Sequence, residues 1–161
     1  MPQLVLFQPE IPPNTGNVAR TCAATNTELH LIEPLGFEIS DRNLKRAGLD
    51  YWPWVQLHRH VDWEAFTRQR QRRGGRLLAL SSHATQAYHA LQYEPDDWLL
   101  FGRETSGLPD HVLTQADHLL TIPMPGSVAH GGGVRSLNLA TAAGVVLFES
   151  LRQLGSPVGM R

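Results

Sequence analysis

Residues 3–33, QLVLFQPEIPPNTGNVARTCAATNTELHLIE, contain the pattern from which the fold class follows. Apolar runs at 3–7 and 29–33 are typical of strands, and the segment at 17–25 is typical of a helix. This order favours two parallel strands joined by a helical crossover. The alternation continues, with strands predicted at 54–58, 77–81, 98–101 and 118–122, and helices at 41–48, 63–72, 110–115 and 136–154. The sequence predicts an α/β fold with a mostly parallel sheet and flanking helices, in one domain over residues 1–161.

The charge balance and the single cysteine restrict the class of protein. Lys plus Arg (14) nearly equals Asp plus Glu (15), so any nucleic acid must bind a local basic patch. Cys22 is the only cysteine, so the chain cannot form an intramolecular disulfide, and a reducing compartment fits best. The chain has no basic leader, and its longest apolar stretch, 139–148, is shorter than the ~20 residues of a membrane span. We therefore expect a cytoplasmic protein without a membrane partner.

Three loops rich in glycine and proline follow predicted strands, at 82–85, 102–109 and 123–135. Open parallel sheets bind ligands at the carboxyl ends of their strands. The chain has neither GxGxxG after its first strand nor GxxxxGK[ST], the two patterns that bind phosphates. The loops favour a nucleotide-type ligand without phosphates, although turn chemistry alone also explains their composition. Ser136 is predicted to cap the last helix.

Several groups have both a structural and a functional interpretation. Five arginines form either a solvated helix face or an RNA contact: Arg68, Arg70, Arg72, Arg73 and Arg76. Three aromatic residues around Pro53 either pack a turn or stack on an anticodon base: Tyr51, Trp52 and Trp54.

His58 and His60 have a spacing that could hold a metal on a strand. Without a cysteine or carboxylate nearby, we interpret both as surface histidines and expect no metal.

Three motifs in order resemble a known family: PPNTGNVAR at 12–20, LFGRETSGLP at 100–109, and IPM at 122–124 followed by RSLNLA at 135–140. Together they resemble the SPOUT superfamily of RNA methyltransferases. Within it, the chain is similar to the small tRNA 2′-O-methyltransferases of the TrmL (YibK-like) type, which act on the wobble cytidine or uridine at position 34. The segments EPLGF at 33–37 and RAGLDY at 46–51 also resemble that subgroup. The resemblance covers about residues 2–157.

The resemblance implies a SPOUT-type fold with a C-terminal trefoil knot, a homodimer, a tRNA substrate and S-adenosylmethionine (SAM) as methyl donor. The residues that match the family's SAM contacts are Leu80, Gly102, Ile122 and Ser136. They fall at the ends of three predicted strands and at the start of the last helix. The carboxyl ends of strands are also where an open parallel sheet binds its ligand.

Arg20 and Asn138 match the family's catalytic positions. Arg20 is a poor base because the pKa of arginine exceeds about 12. We predict that it binds the phosphate beside the target ribose, helped by the N-terminus of the helix that it starts. The alternative is a surface or salt-bridge arginine. The predicted RNA contacts are Asn14, Asn17, Arg42, Lys45, Arg46, Glu104 and Arg135.

The chain departs from the family in two places. It has several additional residues within 125–134, and Phe148 stands where the family often has a tyrosine. We expect no appended RNA-binding domain, so the dimer is expected to bind the RNA itself. The small residues Ala140, Ala143 and Gly144 pack either against their own sheet or against a second subunit.

The sequence leaves three alternatives to a wobble methyltransferase. One is a catalytically inactive knotted RNA-binding or assembly protein, supported only by the two departures. Another is a 2′-O-methyltransferase of a different tRNA or rRNA position. The last is a generic nucleotide-binding α/β enzyme, which the missing phosphate loop disfavours.

Overall fold

The computed structural model describes residues 1–40 and 50–155, and its secondary structure alternates between strands and helices. The strands are β1 Gln3–Phe7, β2 Glu28–Ile32, β3 Gln56–His60, β4 Leu77–Leu80, β5 Gln86–Ala87, β6 Trp98–Phe101 and β7 His118–Thr121. The helices are α1 Pro12–Thr25, α2 Trp63–Arg73, α3 Asp110–Leu113, α4 Pro125–Ala129 and α5 Leu139–Leu154, with a 3-10 turn at Trp52–Trp54. The helix predicted at 41–48 lies outside the described residues.

The strands form a seven-stranded sheet in the order β3-β2-β1-β6-β4-β7-β5, and every pair is parallel. The predicted α/β fold with a parallel sheet is therefore confirmed. The short strand β5 was not predicted, since two residues are too few to show a strand period. None of the helices described in residues 1–40 and 50–155 combines the length and apolar character needed to cross a membrane.

Apolar side chains cover both faces of the sheet because successive residues of a strand point to opposite sides. On one face, Leu4 and Leu6 of β1 belong to a core that includes residues of α1 and α5. On the other face, Val5 and Phe7 pack in a core with residues of α2 and α3. Burying one such side chain stabilises the fold by about 1.5–3 kcal/mol. The central strands read as continuous apolar runs for this reason.

Helix α1 begins at Pro12, five residues before the predicted start. Pro12 and Pro13 occupy its first two positions, where a missing N–H removes no helical hydrogen bond. The prolines therefore start the helix. Arg20 is the ninth residue of α1, about 12 Å along its axis from the first. The prediction that Arg20 starts its helix is wrong.

Helix α5 begins at Leu139, and Asn138 is its N-cap instead of the predicted Ser136. The side-chain oxygen of Asn138 accepts hydrogen bonds from the backbone N–H groups of Ala140 and Thr141, at 2.9 and 3.4 Å. Ser136 lies in the preceding loop. Because both residue types cap helices well, the local sequence alone does not choose between them.

Candidate active site

A cleft of about 650 Å³ lies beyond the carboxyl ends of β4, β6 and β7. Its lining includes all four residues predicted to contact SAM, namely Leu80, Gly102, Ile122 and Ser136. The lining also includes Asn14, Glu104, Arg135 and Asn138. Asn17 and Arg20 are not among the lining residues, and Arg42, Lys45 and Arg46 lie outside the described residues. The predicted cofactor residues are thus gathered in one cleft, whereas the predicted RNA residues are divided.

Gly102 forms one wall of the cleft by a close backbone contact. A Cβ atom at this position would lie 2.4 Å from the carbonyl carbon of Gly107 and 2.6 Å from the nitrogen of Leu108. The loop closes through two backbone hydrogen bonds between Arg103 and Gly107, at 3.1 and 3.0 Å. Glycine is therefore required at 102 for the loop itself. A bulky residue there would distort the wall as well as fill the ligand space.

The carboxylates of Glu104 and Glu10 connect the loop before α1 to the loop after β6, because each accepts hydrogen bonds from the other loop. Glu104 accepts hydrogen bonds from the backbone N–H groups of Glu10 and Ile11, at 2.9 and 3.0 Å. Glu10 accepts hydrogen bonds from the hydroxyl and the N–H of Thr105, at 2.8 and 3.2 Å. Glu104 thereby places negative charge at the start of α1, where the helix dipole favours it. It has a structural task in the protein, and its RNA contact stays a prediction.

Asn14 and Asn138 connect α1 to the start of α5. The amide of Asn138 donates to the side-chain oxygen of Asn14 at 2.9 Å, while its own oxygen caps α5. This network fixes which way the Asn138 amide points. Asn14 is buried. The amide group of Asn138 carries a second hydrogen that the bond to Asn14 does not use.

Arg20 lies on the exposed side of α1 beside Tyr51. Its guanidinium carbon is 6.0 Å from the centre of the Tyr51 ring, within range of a cation–π interaction. Tyr51 donates a hydrogen bond from its hydroxyl to the carbonyl of Gly16 at 2.7 Å. Burial raises the pKa of Tyr51, against the opposing effect of Arg20, so the phenol is neutral and able to donate. Tyr51 thus packs on α1, as the structural interpretation predicted, while Trp54 is exposed.

The interpretation of His58 and His60 as surface histidines without a carboxylate partner is wrong. His60 is buried, and its Nε2 lies 2.9 Å from Nδ1 of His30. His58 Nε2 lies 3.0 Å from a carboxylate oxygen of Glu28. The partners come from β2, which pairs with β3 in parallel. They are therefore close in space and about 30 residues away in sequence.

The arginine run is largely engaged within the protein. Arg73 donates to both carboxylate oxygens of Glu28, at 2.8 and 3.0 Å, and Arg76 makes the same kind of pair with Asp97 at 2.8 Å. Arg70 donates to the carbonyl of Gly75. Arg68 and Arg72 are exposed. Arg70, Arg73 and Arg76 therefore have partners within the protein, which the interpretation as a solvated helix face did not predict.

The additional residues within 125–134 form the short helix α4 and a glycine turn. Residues 131, 132 and 133 have φ angles of +64°, +147° and +107°, which favour glycine. Met124, just before α4, lines the cleft. Phe148 lies exposed on α5, with 56% of its surface accessible.

An all-parallel sheet with a glycine-rich cleft at the carboxyl ends of its strands is the arrangement of an α/β ligand-binding enzyme. Residues 1–148 match the SpoU rRNA Methylase family, and the chain belongs to this family. The family expected from the three motifs is confirmed.

Relatives and solved structures agree with this membership. A tRNA (cytidine(34)-2'-O)-methyltransferase of Saccharophagus degradans is 49% identical over 94% of this chain and 95% of its own. A solved structure described as giving insights into the 2-OH methylation of C/U34 on tRNA is 50% identical, with a TM-score of 0.86 over 98% of each chain. An AdoMet-bound rRNA methyltransferase of Sinorhizobium meliloti is 27% identical, with a TM-score of 0.81 over 95% of this chain and 56% of its own.

Proposed function

We propose that this protein transfers a methyl group from SAM to the ribose 2′-OH of a tRNA nucleotide, the wobble cytidine or uridine at position 34. The observation that carries the proposal is the single cleft that gathers Leu80, Gly102, Ile122 and Ser136 at the strand ends. Near full-length similarity to a protein with this named activity supports the choice of substrate.

The residues of the cleft fit SAM as the cofactor. Its volume of about 650 Å³ lies within the usual range for small-molecule sites. Leu80 and Ile122 offer apolar surface to an adenosine, and no phosphate-binding loop is present in the sequence. SAM supplies an activated methyl group on a sulfonium. The protein's part is to hold the 2′-oxygen in line with that group and to ease the loss of its proton.

Asn138 and Arg20 have different tasks in this proposal. Asn138 borders the cleft, is held by Asn14 and α5, and orients the ribose with its remaining amide hydrogen. Arg20 stays protonated and binds the phosphate next to the target nucleotide. Asn17 is exposed one turn before Arg20 on α1, so both side chains can contact the same stretch of RNA backbone.

Arg20 is not among the residues that line the cleft of its own chain, which supports a site shared between two subunits. We infer a homodimer in which α5 is part of the interface. Ala143 is buried in its own core, but a Cβ atom added at Gly144 would meet nothing within 4 Å. Gly144 and the exposed Phe148 are four residues apart and so share a face of α5.

The C-terminal trefoil knot also belongs to this proposal. The loops after β4, β6 and β7 meet at one cleft, and the chain then returns as α5 beside α1, a convergence that a knotted path would produce. A tRNA-modifying role and the single cysteine support a cytoplasmic location.

The dimer is tested by light scattering during size-exclusion chromatography. We expect twice the mass of 17.9 kDa for the wild type and a shift toward monomer for Phe148→Asp. The control is Val61→Asp, because Val61 is an exposed apolar residue far from α5 in sequence. A wild-type monomer at micromolar concentration would contradict both the dimer and the shared site.

The function is tested with purified protein, SAM and tRNA. Calorimetry in a chelator measures SAM binding, and mass spectrometry of digested tRNA locates the methylated nucleotide. Transfer to position 34 supports the proposal. SAM binding without transfer would instead identify an inactive RNA-binding protein, and transfer to another nucleotide would correct the substrate.

A further inference from the structure

A second group of polar residues lies on β2 and β3, away from the cleft. Glu28 is the first residue of β2, and His30 pairs directly with His58 of β3. The three side chains are on the same face of the sheet, since residues two apart on a strand point the same way. One ligand atom of each residue lies within 4.8 Å of the other two.

His30 is fully buried, yet one of its ring nitrogens is not satisfied. Its Nδ1 lies 2.9 Å from Nε2 of His60. Its Nε2 is buried and makes no hydrogen bond within residues 1–40 and 50–155; the nearest carboxylate oxygen, on Glu28, is 3.5 Å away. When Nδ1–H donates to His60, the lone pair of Nε2 faces Glu28 and His58. A partner that orients the second ring nitrogen is the usual arrangement around a metal-binding histidine.

We propose that Glu28, His30 and His58 bind a divalent transition-metal ion of the Zn²⁺ type. Two imidazoles and one carboxylate are ligands that Zn²⁺ accepts, with water completing a tetrahedron. Neighbouring ligand atoms around such an ion are about 3.4 Å apart. The rings of His30 and His58 are stacked, with centroids 4.5 Å apart and 10° between their planes, so the partly exposed His58 ring must rotate to direct its Nε2 lone pair at the ion. The bound ion would cross-link the edge strand β3 to β2.

Arg73 would compete with a metal ion for the carboxylate of Glu28. Its guanidinium donates to both oxygens of Glu28 and supplies the positive charge that a metal ion would otherwise bring. Its side chain is 36% exposed, so it can turn toward solvent when an ion binds. The side chains of His58 and Glu28 are 38% and 26% exposed and provide the entry path. Removing Arg73 should consequently strengthen metal binding.

The experiment uses the full chain without a polyhistidine tag, after treatment with a chelator that is then removed. Titration with ZnCl₂ by calorimetry should give one equivalent per chain. Co²⁺ should give the intense visible absorption of a tetrahedral nitrogen and oxygen site. His58→Gln should weaken Zn²⁺ binding by at least about tenfold, whereas Arg73→Gln should strengthen it several-fold.

The control variant is His111→Gln, because His111 is an exposed histidine on α3, outside this group. It should bind Zn²⁺ like the wild type. His58→Gln is preferred to a change at the buried His30 because His58 is partly exposed and its replacement should leave the fold intact. Equal binding by wild type and His58→Gln would overturn the proposal. A Co²⁺ spectrum like that of the free ion, or weaker Zn²⁺ binding by Arg73→Gln, would overturn it as well.

Discussion

Replacing Glu104 with alanine should destabilise the protein by about 2–3 kcal/mol. The Glu104 carboxylate accepts two backbone hydrogen bonds, from Glu10 at 2.9 Å and Ile11 at 3.0 Å. A hydrogen bond to a charged group contributes about 1.5–3 kcal/mol, and we take the lower end or less for each because the bond to Glu10 is partly buried and the bond to Ile11 is exposed, which gives about 2–3 kcal/mol for the two. In a chain of 161 residues, this corresponds to a decrease in Tm of roughly 5–10 °C.

Urea unfolding followed by circular dichroism measures this loss at a fixed protein concentration. Glu104→Gln keeps one acceptor oxygen and should lose about half as much stability as Glu104→Ala. The matched control is Glu94→Ala, because Glu94 is 61% exposed and its carboxylate makes a 3.4 Å ion pair with Arg76. Such a pair contributes at most about 1 kcal/mol.

The same variants separate the structural task of Glu104 from its predicted RNA contact. If Glu104 acts only on RNA, Glu104→Ala will unfold at the same urea concentration as the wild type and bind SAM normally. The two hydrogen bonds of Glu104 would then contribute nothing measurable to stability. If the carboxylate holds the wall of the cleft, stability and SAM affinity will fall together.

Three further predictions test other parts of the molecule. Arg20→Ala should leave SAM affinity unchanged and reduce single-turnover methyl transfer by roughly a hundredfold; Arg20→Lys should recover little, and Arg68→Ala should match wild type. Burial raises the pKa of the Cys22 thiol to about 12, so it should resist Ellman's reagent at pH 8 until the protein is unfolded in urea, and rapid native reaction would contradict its burial. Gly102→Ala should reduce both stability and SAM affinity, because its Cβ would lie 2.4 Å from Gly107, whereas Gly126→Ala should change neither, since nothing lies within 4 Å of its Cβ.

The sequence predicted the strands best where they are buried on both faces. The bounds predicted at 3–7 and 98–101 equal those of β1 and β6, because Leu4 to Phe7 and Trp98 to Phe101 are continuous apolar runs in the middle of the sheet. The start of α1 was missed because a proline pair that ends one element can also begin the next.

The partners of charged side chains could not be predicted, because they depend on which strands become neighbours. Glu104 reaches a loop 94 residues earlier in the chain, and Arg73 reaches Glu28 across 45 residues. No local period encodes such pairs. The residues predicted to contact SAM follow from the resemblance to a known family, and they meet in one cleft because the carboxyl ends of parallel strands share one edge of the sheet.

The position of Glu104 restricts where the proposed RNA phosphate could bind. The N-terminus of α1 is the positive end of a helix dipole, which would attract an anion, although Pro12 and Pro13 carry no N–H and the N–H groups of Asn14 and Thr15 donate to the carbonyl of Ile11. Glu104 already supplies that anion, and its carboxylate would repel a phosphate brought to the same place. Arg20 lies about 12 Å further along the helix, beyond the range of the terminal dipole. If Arg20 binds the phosphate as proposed, it does so by its own charge and fork of N–H groups, and lysine should not replace it.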